Sequence, residues 1–174
     1  IPNNVPTPDY EFEGGFVGRE DDIRKIIQEL EGNSHRVITI SGAGGVGKTA
    51  LALKVVHKLL NRTPPIFDGI IWLSAKESRL SYLGIEDIEP TLKNYEQLLD
   101  SISEVMGLGI SDESIEKKEV DINTIFDLYN CILIVIDNLE TITDERIINF
   151  IIDSHPKSKF LITSRKGLGQ VERR

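Results

Sequence analysis

The sequence predicts an α/β fold of three layers, in which a mostly parallel central sheet lies between helices on both faces. Apolar, β-branched segments of strand length alternate with segments whose apolar residues recur at helical spacing. Residues suited to chemistry stand directly after three of those strands: Gly42, Asp137 and the run 163–165. Because ligands bind beyond the carboxyl ends of the strands in such sheets, we expect these residues to share one site.

The predicted elements keep this alternation except at 95–106 and 122–129, where two predicted helices follow one another. Strands are predicted at 36–41, 69–74, 132–136 and 159–163. Helices are predicted at 20–31, 48–60, 95–106, 122–129 and 146–152, the last with Asp144 as its N-cap. Residues 81–93 and 111–119 are acidic and are predicted to form surface loops.

Length and composition indicate one globular domain. The chain has 174 residues, of which 40% are hydrophobic and 28% are charged, and this is enough for a single core. Residues 1–15 are rich in Pro, Asn and Gly and predict a linker or an extended lead-in. The domain proper is therefore expected to span 16–174, and the chain is expected to be a fragment of a longer protein.

Charge balance and cysteine content limit which binding partners and which cellular location are expected for this domain. The chain has 28 acidic and 20 basic residues, a net charge of −8, so we do not expect this domain to bind nucleic acid directly. Cys131 is the only cysteine, which predicts a reducing, cytoplasmic setting. No apolar run approaches the roughly 20 residues of a transmembrane helix, so a membrane is not an expected partner.

A glycine-rich phosphate-binding pattern, G-x-x-x-x-G-K-[ST], stands between the first predicted strand and its helix. Its glycines let the backbone turn and approach phosphate oxygens, and the helix offers unpaired N–H groups at its start. Lys48 is predicted to reach the β and γ phosphates, and the Thr49 hydroxyl to ligate Mg²⁺. The residues expected to bind the nucleotide here are Gly42, Gly44, Gly45, Val46, Gly47, Lys48, Thr49 and Ala50. By itself the pattern does not choose among kinases, GTPases and ATPases.

A second acidic site follows the third predicted strand. The apolar run 132–136 ends in Asp137, a pattern typical of a Walker B strand, whose aspartate holds Mg²⁺ through the metal's shell. Many hydrolases place an acid directly after this aspartate to orient the attacking water, but here Asn138 stands there and cannot act as a base. Glu140 is either that base or a surface or helix-terminal carboxylate. Hydrolysis is therefore expected to be slow, or to need completion by another segment or protomer.

The fourth predicted strand is followed by a polar run that ends in an arginine. Arg165 offers a planar fork of donors that matches phosphate oxygens, so it is a candidate sensor of the γ phosphate. Thr163 and Ser164 are weaker candidates for the same contact. The alternative is a solvated arginine in a basic patch with Lys166.

Taken together, these motifs resemble the STAND-class P-loop NTPases, signal-transducing proteins with numerous domains, and in particular their NB-ARC branch. FVGRE at 16–20 looks like that family's hhGRE element, and FDGIIWL at 67–73 looks like its second-strand motif. ILIVIDNLE at 132–140 looks like the prokaryotic form of its Walker B strand, and FLITSR at 160–165 looks like its sensor strand. The resemblance spans residues 16–165.

The resemblance implies a nucleotide switch. Adenine would pack near Phe16 and Val17, with Arg19 close to the nucleotide. ADP would hold the protein in a closed resting state. Exchange of ADP for ATP, with an unknown trigger, would permit self-association of the full-length protein. Prokaryotic members often serve in antiphage defence or transcriptional control. Asn138 departs from the family pattern and leaves the hydrolytic base open, and the downstream helical and winged-helix domains lie outside this chain.

Two other functions remain open from the sequence. A small-molecule kinase would need a lid with arginines; no convincing lid is present, and residues 78–90 are the segment that could contain one. A scaffold that holds ADP without turnover is the second alternative. No N-K-x-D guanine motif and no L-S-G-G-Q-like signature is present, which disfavours a GTPase and an ABC transporter ATPase.

Overall fold

The computed structural model describes residues 1–7, 19–76, 78–81, 84–87, 89–166 and 172–173. Phe16 and Val17, the residues expected beside the adenine, lie outside these ranges. No helix within them has the length and apolar character that crossing a membrane requires.

Helices and strands are interspersed along the described ranges. The helices are α1 (Glu20–Glu31), α2 (Lys48–Leu60), α3 (Tyr95–Met106), α4 (Ile115–Leu128) and α5 (Glu145–Asp153), with a 3₁₀ turn at Leu139–Thr141. The strands are β1 (Val37–Ser41), β2 (Gly69–Ser74), β3 (Ser78–Ser81), β4 (Gly84–Asp87), β5 (Ile132–Asp137), β6 (Ser158–Ser164) and β7 (Glu172–Arg173). Asp144 caps α5 as predicted, because its side chain accepts a hydrogen bond from the Arg146 N–H.

The main sheet has the strand order β2-β5-β6-β1-β7, and every pairing in it is parallel. β6 therefore lies between β1, which leads into the glycine-rich loop, and β5, which ends in Asp137. Ser41 pairs with Ser164, so β1 and β6 end at the same level. The loops that follow β1, β5 and β6 consequently share one edge of the sheet, and the predicted parallel sheet is confirmed.

Two clusters of buried side chains fill the spaces on either side of the sheet. On one face Leu133 belongs to the cluster that contains Val56 of α2. On the other face Ile134 belongs to the cluster that contains Leu98 of α3 and Phe126 of α4. Successive strand residues point to opposite faces, so the apolar run of β5 serves both layers. The predicted three-layer arrangement is confirmed.

The prediction of an irregular loop at 81–93 is wrong in part. β3 and β4 form an antiparallel hairpin in which Ser78 stands opposite Asp87. The strands are four residues long, SRLS in β3 and GIED in β4, and neither shows the alternating apolar pattern that indicates a strand. Pairing with each other supplies the backbone partners that the sequence pattern does not reveal.

The helix predicted at 122–129 begins earlier, at Ile115, so the acidic stretch 111–119 is not wholly a loop. Its buried residues are Lys118, Ile122 and Phe126, which keep helical spacing. Because one of these inward positions is a lysine, the sequence does not show a continuous apolar pattern for this helix. The Lys118 ammonium pairs with Glu96 at 3.1 Å and Asp100 at 2.6 Å, both on α3, which offsets the cost of burying its charge.

The first residues of the chain lie along the outer edge of β2. Ile70 donates its N–H to the carbonyl of Pro2 at 3.1 Å, and Asn3 makes a parallel bridge with Ile70. The Asn4 side chain accepts from the Trp72 N–H at 2.6 Å and donates to the Trp72 carbonyl at 3.0 Å. The described part of the predicted lead-in is therefore paired with the sheet.

Lys159 of β6 holds the end of α1 in place. Its ammonium donates to the carbonyl oxygens of Leu30, at 2.6 Å, and Gly32. Burial lowers the pKa of Lys159 below its usual value. The contact supplies a cationic donor at a helix C-terminus whose last turn contains no basic residue, and it fixes α1 against β6.

Candidate functional site

The loop at 42–47 joins β1 to α2 and turns through two left-handed glycines. The φ angles of Gly45 and Gly47 are 79° and 83°, values that residues with a Cβ rarely adopt. Leu51 donates its N–H to the Gly47 carbonyl, so the N–H groups of the three residues between them have no carbonyl partner inside the helix. The loop therefore presents free backbone donors at the positive end of a helix, the arrangement that binds anions.

Lys48 folds back onto this loop. Its Nζ donates to the carbonyl oxygens of Gly42 and Ala43, each at 2.9 Å, and the residue is 9% exposed. An ammonium has three donors, so one N–H remains for a further acceptor. The positive charge is thus held where an anion on the loop would meet it.

Asp137 is the centre of a group of hydroxyls. Its Oδ1 accepts from the Thr49 hydroxyl at 2.8 Å and from the Thr163 hydroxyl at 2.6 Å. Its Oδ2 lies 3.4 Å from the Ser74 hydroxyl, and the residue is 1% exposed. Side chains from α2, β6 and β2 therefore fix the orientation of this carboxylate.

The donor set at Thr49 and Asp137 fits a hard divalent cation. Both residues offer oxygen, the ligand that Mg²⁺ prefers. Because Thr49 gives its proton to Asp137, the lone pairs of its hydroxyl oxygen stay available to a metal. Oδ2 of Asp137 has only the long Ser74 contact among the described residues, so it retains capacity to accept from the water shell of an ion.

Asn138 has a conformation that explains its presence after Asp137. Its φ and ψ are 67° and 43°, in the left-handed region that Asn tolerates better than most residues. Its N–H donates to the Thr163 hydroxyl at 2.9 Å. The position is therefore occupied by a turn-forming residue, and the chain turns there into the 3₁₀ segment that contains Glu140.

Glu140 and Arg165 form an ion pair beside the loop at 42–47, which is called the phosphate loop below. The Arg165 Nε lies 3.2 Å from Oε1 of Glu140, whose side chain is 15% exposed against 66% for Arg165. A methyl group built on Gly44 would lie 3.9 Å from the guanidinium carbon of Arg165. The arginine thus lies close to both the carboxylate and the loop.

Arg19 also contacts the loop at 42–47. Its Nη1 donates to the Val46 carbonyl at 3.1 Å, and its Nε pairs with Asp22 at 3.0 Å. A cleft of about 460 Å³ adjoins it between α1 and β1. The apolar lining of that cleft comes from Ile26, Ile38, Ile40 and Leu51, and its polar lining includes Arg19, Thr39 and Ser41.

The structure brings most of the sequence-predicted site residues to one edge of the sheet. Thr49 meets Asp137, and Arg165 meets Glu140 near Gly44. Sequence reasoning missed Ser74, which pairs in register with Asp137 and so ends its strand at the same level. A polar residue at the end of an otherwise buried strand was the available signal.

The NB-ARC domain model matches residues 19–168, which contain all of the described site. The chain belongs to the NB-ARC domain family. A probable disease resistance protein of Arabidopsis thaliana is 28% identical over 159 residues, covering 88% of this chain and 16% of the relative. Another disease resistance protein of that plant is 38% identical over 66 residues, covering 37% and 7%. The chain spans only a small part of the length of these curated relatives.

Solved structures of low sequence identity share the fold of this NB-ARC domain. A Walker-type ATPase of Pyrococcus abyssi superposes with a TM-score of 0.56 at 15% identity, covering 92% of this chain and 47% of that one. A DNA replication initiation factor superposes with a TM-score of 0.50 at 14% identity, covering 97% and 45%. At this identity the likeness concerns the fold alone, and it confirms the predicted P-loop NTPase architecture.

Proposed function

We propose that this NB-ARC domain binds ATP or ADP with Mg²⁺ and that the bound nucleotide controls self-association of a longer signalling protein. One observation carries the proposal: Lys48, the Thr49–Asp137 pair and Arg165 converge on the loop at 42–47. Each is suited to one part of a magnesium-bound triphosphate. The phosphates would accept from the backbone donors of the loop, and Lys48 would give its free N–H to the β and γ oxygens.

Magnesium would be held by Thr49 directly and by Asp137 through the metal's water shell. The ion would neutralise charge on the β and γ phosphates. The chain's own contribution is orientation, because Thr49 and Thr163 both donate to the same oxygen of Asp137.

Replacing Asp137 with asparagine is expected to remove most of the magnesium dependence of ADP binding. The amide keeps the size of the side chain but loses the charge that attracts the ion, and we expect the gain in affinity on adding Mg²⁺ to fall about tenfold. Calorimetric titration with ADP, with and without Mg²⁺, measures this difference. Asp153→Asn, which removes an exposed carboxylate at the end of α5, is the matched control. An unchanged magnesium effect in D137N would contradict the assignment.

The cleft between α1 and β1 is the proposed adenosine site. Its apolar side chains suit the faces of a purine ring, and Ser41 places it directly beside the phosphate loop. Arg19, which holds the loop through Val46, would lie next to the sugar and base.

We expect the domain to prefer adenine to guanine nucleotides by about tenfold or more, since specific contacts to a base edge are worth that much. Titration with ADP and with GDP, which differ only in the base, tests this preference. Nucleotide extracted from the purified protein is expected to be ADP or ATP. Equal affinities for ADP and GDP would refute the adenine assignment.

The wider setting extends the proposal to the longer protein. Disease resistance proteins are named among the relatives, which supports a role in defence. We extend the proposal to antiphage defence or transcriptional regulation, the roles that the motif resemblance implies. The same proposal includes a trigger ligand of unknown chemistry, a cytoplasmic location, downstream helical and winged-helix domains, and slow hydrolysis with Glu140 as the candidate base.

A further inference from the structure

Glu140 has a carboxylate that is poorly satisfied where it lies. Its side chain is 15% exposed, and in the described part of the chain neither oxygen accepts a hydrogen bond. Within the same ranges its charge contact is the ion pair with Arg165 at 3.2 Å. Burying a carboxylate is unfavourable unless a cation or donors compensate, so this pair matters more to Glu140 than to the exposed arginine.

Arg165 is placed to reach a second anion without leaving its position in the fold. It follows directly on β6, a buried central strand, while its side chain is 66% exposed. Its Nε, Cζ and Nη2 all lie 3.9 Å from the position that a Cβ on Gly44 would occupy. The guanidinium therefore lies beside Gly44 of the loop at 42–47 while it is paired with Glu140.

We propose that Glu140 and the γ phosphate compete for Arg165, so that Glu140 is a positioning residue that sets the preference between ATP and ADP. This inference rests on the proposed nucleotide function. ADP leaves the Glu140–Arg165 pair intact, because it has no γ phosphate. ATP binds with the full contribution of Arg165 only by separating that pair.

The chemistry of the two anions makes the exchange reversible. A γ phosphate carries more charge than a carboxylate and accepts two parallel N–H bonds from a guanidinium. Against this stands the cost of leaving the Glu140 carboxylate without its cation. The pair thereby favours the ADP-bound form until ATP replaces it.

A double-mutant cycle on Glu140 and Arg165 tests the competition. Affinities for MgADP and for magnesium with a non-hydrolysable ATP analogue are measured by calorimetry for the wild type, E140Q, R165A and the double variant. We expect E140Q to strengthen analogue binding about three- to fivefold and R165A to weaken it about tenfold, with ADP affinity unchanged in both. The fold-change in analogue affinity caused by E140Q is expected to be at least about three times as large in the wild-type background as in the R165A background.

The cycle separates competition from simple repulsion. If Glu140 only repels the γ phosphate, E140Q strengthens analogue binding equally in both backgrounds, and the inference is overturned. Equal strengthening of ADP binding by E140Q also overturns it.

Lys166→Ala removes a neighbouring exposed positive charge and is the matched control for R165A. Arg165→Lys, which keeps the charge without the fork, replaces R165A if thermal unfolding shows that variant to be unfolded. A wild type that binds neither nucleotide rejects the proposed function itself, whereas binding without coupling rejects only the competition.

Discussion

Replacing Lys48 with alanine is expected to abolish measurable ADP and ATP binding by this domain. Lys48 is nearly buried, and its ammonium is held at the loop by the carbonyl oxygens of Gly42 and Ala43. The substitution removes a side-chain cation that is held at the loop, together with its charge-assisted bonds to the phosphates. We expect a loss of at least about 100-fold in affinity, or ~3 kcal/mol. Calorimetric titration with each nucleotide measures it.

The control for this variant is another lysine of the same helix. Lys54 lies on α2, away from the loop, and Lys54→Ala removes the same charge from the same element. It is expected to change affinity less than about twofold, since a distant surface charge is screened by salt. Equal losses in K48A and K54A would mean that net charge, and not a specific contact, governs binding. Thermal unfolding of both variants verifies that the fold is retained.

Replacing Phe160 with alanine is expected to lower the free energy of unfolding by about 3–5 kcal/mol. Phe160 is fully buried in β6, which lies between β1 and β5 in the sheet. Its ring packs edge-to-face against Phe150 of α5, with centroids 6.2 Å apart. The alanine would leave a cavity under the strand that bears Thr163. Urea unfolding followed by circular dichroism gives the change.

Two companions make the Phe160 result interpretable. Phe160→Leu fills more of the space and is expected to cost less, about 1–2 kcal/mol. Leu128→Ala removes a side chain at the end of α4 that is 76% exposed, and it is expected to change stability by less than about 0.5 kcal/mol. If F160A and L128A are equally stable, β6 is not the packed centre that the structure describes.

Most of the fold follows from the sequence because its strands are apolar and its helices amphipathic. The strand at 132–136 was predictable since five apolar residues ending in Asp137 match a strand buried on both faces. The sequence predicts a start for α4 that is seven residues too far along the chain, at 122 instead of Ile115. The reason is that Lys118 occupies an inward position where an apolar residue is the usual signal. The long-range pairs with Glu96 and Asp100 that make this lysine acceptable are invisible to a local pattern.

The residues of the candidate site were predictable where they stand in a sequence pattern that has one common function. Lys48 and Thr49 follow from the glycine pattern, and Asp137 follows from its place after a buried strand. The sequence did not predict how these residues meet. The pairing of Asp137 with Thr163 and Ser74 depends on the strand order, which brings β6 and β2 to either side of β5. The exposed Arg165 and its partner Glu140 likewise meet only because β6 neighbours β5.

The pairing of the first residues with β2 bears on how this domain avoids unwanted assembly. A free sheet edge is a template on which another chain can add a strand, and such addition leads to aggregation. Here the edge at Ile70 and Trp72 is occupied by Pro2 and by the side-chain amide of Asn4, which imitates a backbone by donating and accepting at once. The domain therefore shields this edge with its own chain, and self-association through β2 is blocked for as long as that segment stays in place.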